Sequence, residues 1–158
     1  MNEIVCATRG GEASRAVQMA AIEQAMASGF PLVFLYVVSQ DSVTGVEPAL
    51  ERAVEEELEW LGQAMLNIAE GRAMSEGIPC SKVIRQGNVR QEICDFLQER
   101  RASLLLLGAP RSAAASVFGD DPVEQLASSI HDVTGVEVAV VRPDTSDSDA
   151  YYTYLVPA

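Results

Sequence analysis

Pro31-Leu32-Val33-Phe34-Leu35-Tyr36-Val37-Val38 is the stretch that decides the fold. Its side chains do not alternate between apolar and polar. A continuous hydrophobic run of this length fits a strand buried on both faces, as in a parallel sheet covered by helices. On its upstream side, Ala13, Ala16, Val17, Ala20, Ala21 and Ala25 recur at helical steps and predict a helix from Ala13 to Ala27, stopped at Gly29. Ahead of that helix, Ile4-Val5-Cys6-Ala7-Thr8 reads as a short first strand. Downstream, Ser39 to Glu47 is a polar loop, and a long helix follows from about Pro48 to Ser75. Leu50, Val54, Leu58, Leu61, Met65 and Ile68 form its expected apolar stripe. Glu51, Glu55, Glu56, Glu57 and Glu59 crowd its first half, where the helix dipole favours negative charge.

The alternation continues. Cys80 to Arg85 mixes polar and apolar residues and reads as a less buried edge strand. Asn88 with Gln91 has capping-box spacing, and Val89, Ile93, Phe96 and Leu97 give the following helix its apolar face. Leu104-Leu105-Leu106-Leu107 is a second central strand. Asp121-Pro122-Val123-Glu124 is a helix start, with Asp as N-cap and Pro at the first helical position, and Val123, Leu126, Ala127 and Ile130 facing the core. Val136 to Val141 is the fifth strand. Strands and helices thus alternate, predicting one α/β domain with a parallel sheet and helices on both faces. The domain spans 1–143, and 144–158 is an acidic Ser/Asp linker with an aromatic tail. Tyr151 to Val156 has strand-like composition and is expected to dock on its own sheet or on a partner subunit.

The 158 residues carry a net charge of −12, which argues against binding nucleic acid or an anionic membrane, since both need a basic face. No apolar run approaches the roughly 18 residues of a membrane span. The Met1-Asn2-Glu3 start lacks a basic n-region, so no signal peptide is read and a cytoplasmic location is expected. Cys6, Cys80 and Cys94 are widely spaced, with no Cys-x-x-Cys or Cys/His cluster, so no zinc site is expected. The one histidine, His131, falls near the end of the last helix, where a cation is favourable. No catalytic residue is assigned and no enzyme is expected.

Open α/β sheets bind ligands beyond the carboxyl ends of their strands, where strand order reverses. Two loops therefore matter: Thr8-Arg9-Gly10-Gly11-Glu12 after the first strand, and Gly108-Ala109-Pro110-Arg111-Ser112, running on to Gly119-Asp120-Asp121, after the fourth. Glycines let backbone amides approach an anion, although they also serve turns. With these loops, the opening strand and the closing Val136-Glu137-Val138-Ala139-Val140-Val141-Arg142-Pro143, residues 2–142 resemble the universal stress protein family. The resemblance implies a three-layer α/β/α domain of the adenine-nucleotide alpha-hydrolase-like, Rossmann-like kind, with a five-stranded parallel sheet in the order 3-2-1-4-5. It also implies homodimers paired through the fifth strand, residues 136–142, to which the tail would add.

The resemblance marks Thr8, Arg9, Gly10, Val38, Gly108, Arg111, Gly119 and Asp120 as the residues around a nucleotide. Several depart from the family pattern. Arg9 stands where the family's nucleotide-contacting Asp would be, and Val38 holds the place near adenine. Gly108 matches the first glycine of the phosphate loop, but Arg111 falls on the second. The third glycine and its Ser/Thr neighbour fall on Asp121 and Pro122, or, with a shorter loop, on Gly119 and Asp120. A carboxylate about 5 Å from a phosphate charge costs on the order of 3 kcal/mol at an effective dielectric near 20. ATP binding is therefore expected to be weak or absent, with no required cofactor, and Arg9 and Arg111 are expected to pair with Asp120 and Asp121. The expected function is that of a stress-response dimer working through contacts with a protein partner not identifiable from sequence. The alternative is an ATP or AMP module, metal-assisted through Asp120 or Asp121, with slow hydrolysis at most.

Overall fold

The computed structural model describes residues 2–8, 12–39, 45–109, 122–144 and 151–156, without the side chains of residues 12, 13 and 152. The elements run β1 (Glu3–Ala7), α1 (Glu12–Ser28), β2 (Leu32–Ser39), α2 (Pro48–Ser75), β3 (Cys80–Gly87), α3 (Val89–Arg100), β4 (Ala102–Gly108), α4 (Pro122–Thr134), β5 (Glu137–Pro143) and β6 (Tyr151–Leu155). One sheet holds all the strands in the order β3-β2-β1-β4-β5-β6. The first five are parallel, and β6 adds antiparallel to the outer edge of β5. Leu32 to Ser39 form the second strand of this sheet, with Leu32, Val33, Phe34, Leu35, Tyr36 and Val38 buried between β1 and β3.

Two apolar layers hold the sheet. On one face, Ile4, Cys6, Phe34, Tyr36, Leu106 and Val141 meet α1 and α2. On the other, Val5, Val33, Leu35, Leu105, Leu107 and Val140 meet α3 and α4. Period-two alternation along each strand divides the side chains between the layers. Both layers are apolar, so every central strand reads as an unbroken hydrophobic run.

The local signals behave as their chemistry requires. Asn88 Oδ1 accepts from the Gln91 backbone N–H at 3.0 Å and caps α3, while the Gln91 side chain turns forward to Asp95 instead of closing the box. Arg101 ends the same helix in the left-handed conformation, at φ 51°. At the N-terminal ends of β1 and β4, Arg100 grips Glu3 through two hydrogen bonds, of 2.9 and 3.2 Å, and lies over the Phe96 ring.

One expectation needs correcting. The α2 stripe read through Leu50, Leu61 and Ile68 does not face the sheet, because those three side chains are exposed. The buried seam is Gly62, Leu66, Ala69 and Ala73, with Leu58 and Met65 packed partly against it. Small residues let α2 settle closely on β2. A Cβ on Gly62 would lie 2.6 Å from the Tyr36 ring.

The tail docks on its own sheet, one of the two placements expected for it. Pro143 pairs with Tyr151 and Ala139 with Leu155, and the Val156 N–H reaches the Val138 carbonyl at 3.0 Å. Tyr151 joins the α1/α2 layer, while Tyr154 and Val156 join the α3/α4 layer. The strand edge expected to be free for a partner is therefore occupied by the chain's own tail, and β6 presents the outer edge.

Candidate functional site

The site is built from the carboxyl ends of β1 and β4. From β1 the chain passes through α1 to β2 on one side, and from β4 it passes through α4 to β5 on the other. The α1 helix packs on one face of the sheet and α4 on the opposite face. The connections diverge between β1 and β4, which opens a crevice at the strand tips. Ala7 pairs with Leu107, so Thr8 and Gly108 emerge side by side at its floor. Ala7 is also level with Leu35, so β2 continues to Val38 about 10 Å farther along. Val38 is itself buried in the α1/α2 layer, so its side chain serves packing.

Thr8 is fixed by two hydrogen bonds. Its N–H donates to the Leu35 carbonyl at 2.9 Å. Its hydroxyl oxygen accepts from Gln18 Nε2 at 2.9 Å. The Gln18 side chain is 1% exposed and turns its carbonyl toward Arg72 Nη1, which donates to it. A buried amide is thus bonded at both ends, as burial demands. It links α2 through α1 to the crevice floor. Burial, and secondarily the nearby Arg15, lower the Arg72 pKa. Sequence reasoning missed this network. The available signal was Ser14 and Gln18 on the same helical face as Ala21 and Ala25, a polar pair in an apolar stripe.

On the β4 side, the Ala109 N–H donates to the Val141 carbonyl at 2.9 Å and holds the start of the second loop against β5. Glu124, in the first turn of α4, pairs with Arg142 of β5 at 3.3 Å, both side chains being largely buried. The first turn of the helix beside the crevice therefore already contains a carboxylate, with a guanidinium against it. Of the residues assigned from sequence, Thr8 and Gly108 meet at the crevice floor and Val38 stands on its β2 side. Arg9, Gly10, Arg111, Gly119 and Asp120 lie outside the described residues, as do Gly11 and Asp121.

Other reactive groups lie elsewhere. His131 Nδ1 donates to the Val136 carbonyl at 2.8 Å, at the amino end of β5 and the far end of the sheet from the crevice. Cys6 and Cys94 are buried and Cys80 is half-buried, and all three are free thiols. Burial pushes each of these thiols up, most strongly at Cys6. Among the described residues, no three His, Cys, Asp or Glu side chains gather to hold a metal ion. No described helix is long and apolar enough to cross a membrane.

A doubly wound, mostly parallel sheet with this crevice defines a Rossmann-like α/β domain. The chain belongs to the universal stress protein family, whose model matches residues 1–145. UspA from Lactobacillus plantarum superposes with a TM-score of 0.68 at 19% identity, covering 88% of this chain and 96% of that one. A family protein from Burkholderia pseudomallei gives 0.64 at 22% identity, with coverages of 88% and 94%. An Arabidopsis thaliana family protein with AMP bound gives 0.61 at 14% identity, with coverages of 92% and 94%. No curated protein matches this chain in sequence.

Proposed function

We propose that this universal stress protein works through contacts with other proteins and holds ATP weakly or not at all. The observation that carries the reading is the charge of the second loop. Asp120 and Asp121 stand in sequence just ahead of α4, where a phosphate would otherwise meet the favourable dipole of a helix N-terminus. Each carboxylate near a phosphate lowers affinity by roughly a hundredfold at an effective dielectric near 20. Arg9 and Arg111 supply opposite charges from the same two loops, and their pairing with the aspartates fills the phosphate position with the protein's own side chains. The chain is no enzyme in this reading, and steady-state phosphate release stays at background. Its free thiols suit a reducing compartment, and we place it in the cytoplasm. The outer strand on the β5 side is β6, so with the tail in place a second copy pairs along β6. Pairing through residues 136–142 requires the tail to lift.

A second reading keeps the nucleotide. It is favoured by the AMP held in the Arabidopsis relative and by the crevice between β1 and β4. In that reading a divalent ion between Asp120 or Asp121 and the phosphates reverses the repulsion. Calorimetry with ATP and AMP, with and without magnesium, separates the two. The first expects no heat at micromolar concentrations, and metal-free micromolar binding overturns it. Magnesium-dependent binding lost in Asp120→Ala establishes the second.

A further inference from the structure

We propose that the outer face of α2 is a docking surface for a cationic amphipathic segment of another protein. The helix has 28 residues and so runs about 42 Å, whereas the eight-residue strands beneath it span about 27 Å. No described residue of α2 before Leu58 joins the apolar layer under the helix, and its first fully buried residue is Gly62. The inner seam is Gly62, Leu66, Ala69 and Ala73, and several large apolar side chains lie outside it. Leu50 is 52% exposed, Trp60 73%, Leu61 39% and Ile68 50%. Leu61 and Ile68, seven residues apart, lie along one line of the helix, and Trp60 flanks it. Ala53, Glu56, Glu57, Leu58, Trp60 and Leu61 line an open depression of about 610 Å³. A run of large exposed apolar side chains with a polar rim marks an interaction site, and tryptophan is the residue most enriched among binding anchors.

Charge selects the occupant. Glu51, Glu55, Glu56, Glu57 and Glu59 lie along the same stretch, and the one basic residue among them, Arg52, is paired with Glu56 at 3.3 Å. A partner laying lysines or arginines against these glutamates and an apolar stripe against Trp60 and Leu61 complements both features. A second copy docked through this face sets the same glutamates against one another, which repel. Anionic lipid and nucleic acid are repelled likewise.

The surface rests on the reading of the chain as one that works through protein contacts. The two fail separately: tight metal-free ATP binding removes that reading and leaves the peptide result below standing. Trp60 is the only tryptophan, so its emission reports the site directly. The probe is a lysine–leucine peptide of about 18 residues, or five helical turns, in amphipathic order. Its control is the same composition scrambled. Titrated into the full chain, the ordered peptide is expected to shift Trp60 emission to the blue and to bind at least about tenfold more tightly than the scrambled one. With the peptide labelled and followed by anisotropy, Trp60→Ala and Leu61→Asp each weaken binding about tenfold or more. Val133→Asp, on the exposed side of α4, leaves it unchanged. Because these positions are exposed, thermal melting shows the variants still folded. Equal affinity for the two peptides, or unchanged affinity in Trp60→Ala, overturns the proposal. So does a concentration-dependent dimer lost in Trp60→Ala, or a blue shift with anionic phospholipid vesicles, since each assigns the face another occupant.

Discussion

The Gln18 side-chain amide donates to the Thr8 hydroxyl oxygen across 2.9 Å, tying the middle of α1 to the residue from which the first ligand-facing loop departs. Both groups are sealed from water. Gln18→Leu keeps the volume but strips Thr8 of its donor and Arg72 of its acceptor. It is expected to cost about 1–3 kcal/mol in urea unfolding, the range for a buried group left unpaired. Thr8→Val alone strands the amide instead. The double variant removes both polar ends of the Thr8–Gln18 bond, so its cost should fall short of the sum by about 0.5–3 kcal/mol. Strict additivity would show that the bond does not organise the strand tip.

Gly62 and Gly71 make a matched pair within α2. Nothing lies within 4 Å of a Cβ built on Gly71, so Gly71→Ala gains helix propensity and should stabilise the chain by about 0.5–1 kcal/mol. A Cβ on Gly62 meets the Tyr36 ring at 2.6 Å, and the ring is buried. Overpacking there costs about 1–3 kcal/mol. It outweighs a propensity gain of about 1 kcal/mol, so Gly62→Ala should lower the thermal midpoint. Equal shifts in the two variants would contradict the close approach of α2 to β2.

These two cases show how far the sequence carries. Strand and helix order was legible because residues 31–38 and 104–107 have no polar interruption, which only a sheet covered on both faces requires. The inward face of α2 was misread because periodicity weights large apolar residues, while three of the four seam residues, Gly62, Ala69 and Ala73, are small and only Leu66 is large. Close approach is a property of shape and is invisible to a hydrophobic pattern. Gln18 was missed for the opposite reason: a polar residue in a helix reads as solvent-facing until its partners, Thr8 and Arg72, are brought to it from distant parts of the chain. Tyr151 to Val156 was recognised as strand-like, but only pairing could show that it closes the β5 edge.

Alkaline pH should loosen that closure. Partial burial, and then the hydrogen bond to Glu23, push the Tyr151 hydroxyl well above the ordinary tyrosine value. A group raised in the folded state contributes stability fully present below its unfolded pKa, near 10. That contribution is lost as pH climbs through the folded value. The tail should therefore stay docked through neutral pH and weaken above about pH 10. Ultraviolet titration of wild type against Tyr151→Phe isolates one late-ionising tyrosine, and faster proteolysis of the tail at high pH should accompany it. If the tyrosine lost in Tyr151→Phe ionises at the ordinary value near 10, Tyr151 is not held against Glu23.

The Glu124–Arg142 pair sets both the stability and the charge of the α4 entrance. It is largely buried, so removing one partner takes a close opposite charge from a desolvated ion. Glu124→Ala should cost about 1.5–3 kcal/mol, the range for a hydrogen bond to a charged group. Glu124→Leu combined with Arg142→Leu removes both charges, and apolar pairs of this kind often match the ion pair they replace, so most of the loss should return. Arg142→Met alone takes one positive charge from beside the carboxylate in the first turn of α4. It should destabilise the chain and also weaken any residual nucleotide binding seen by calorimetry, because Glu124 then adds to Asp120 and Asp121. A double variant no more stable than Glu124→Ala would show that the packing of these side chains, and not their mutual neutralisation, is what the helix entrance depends on.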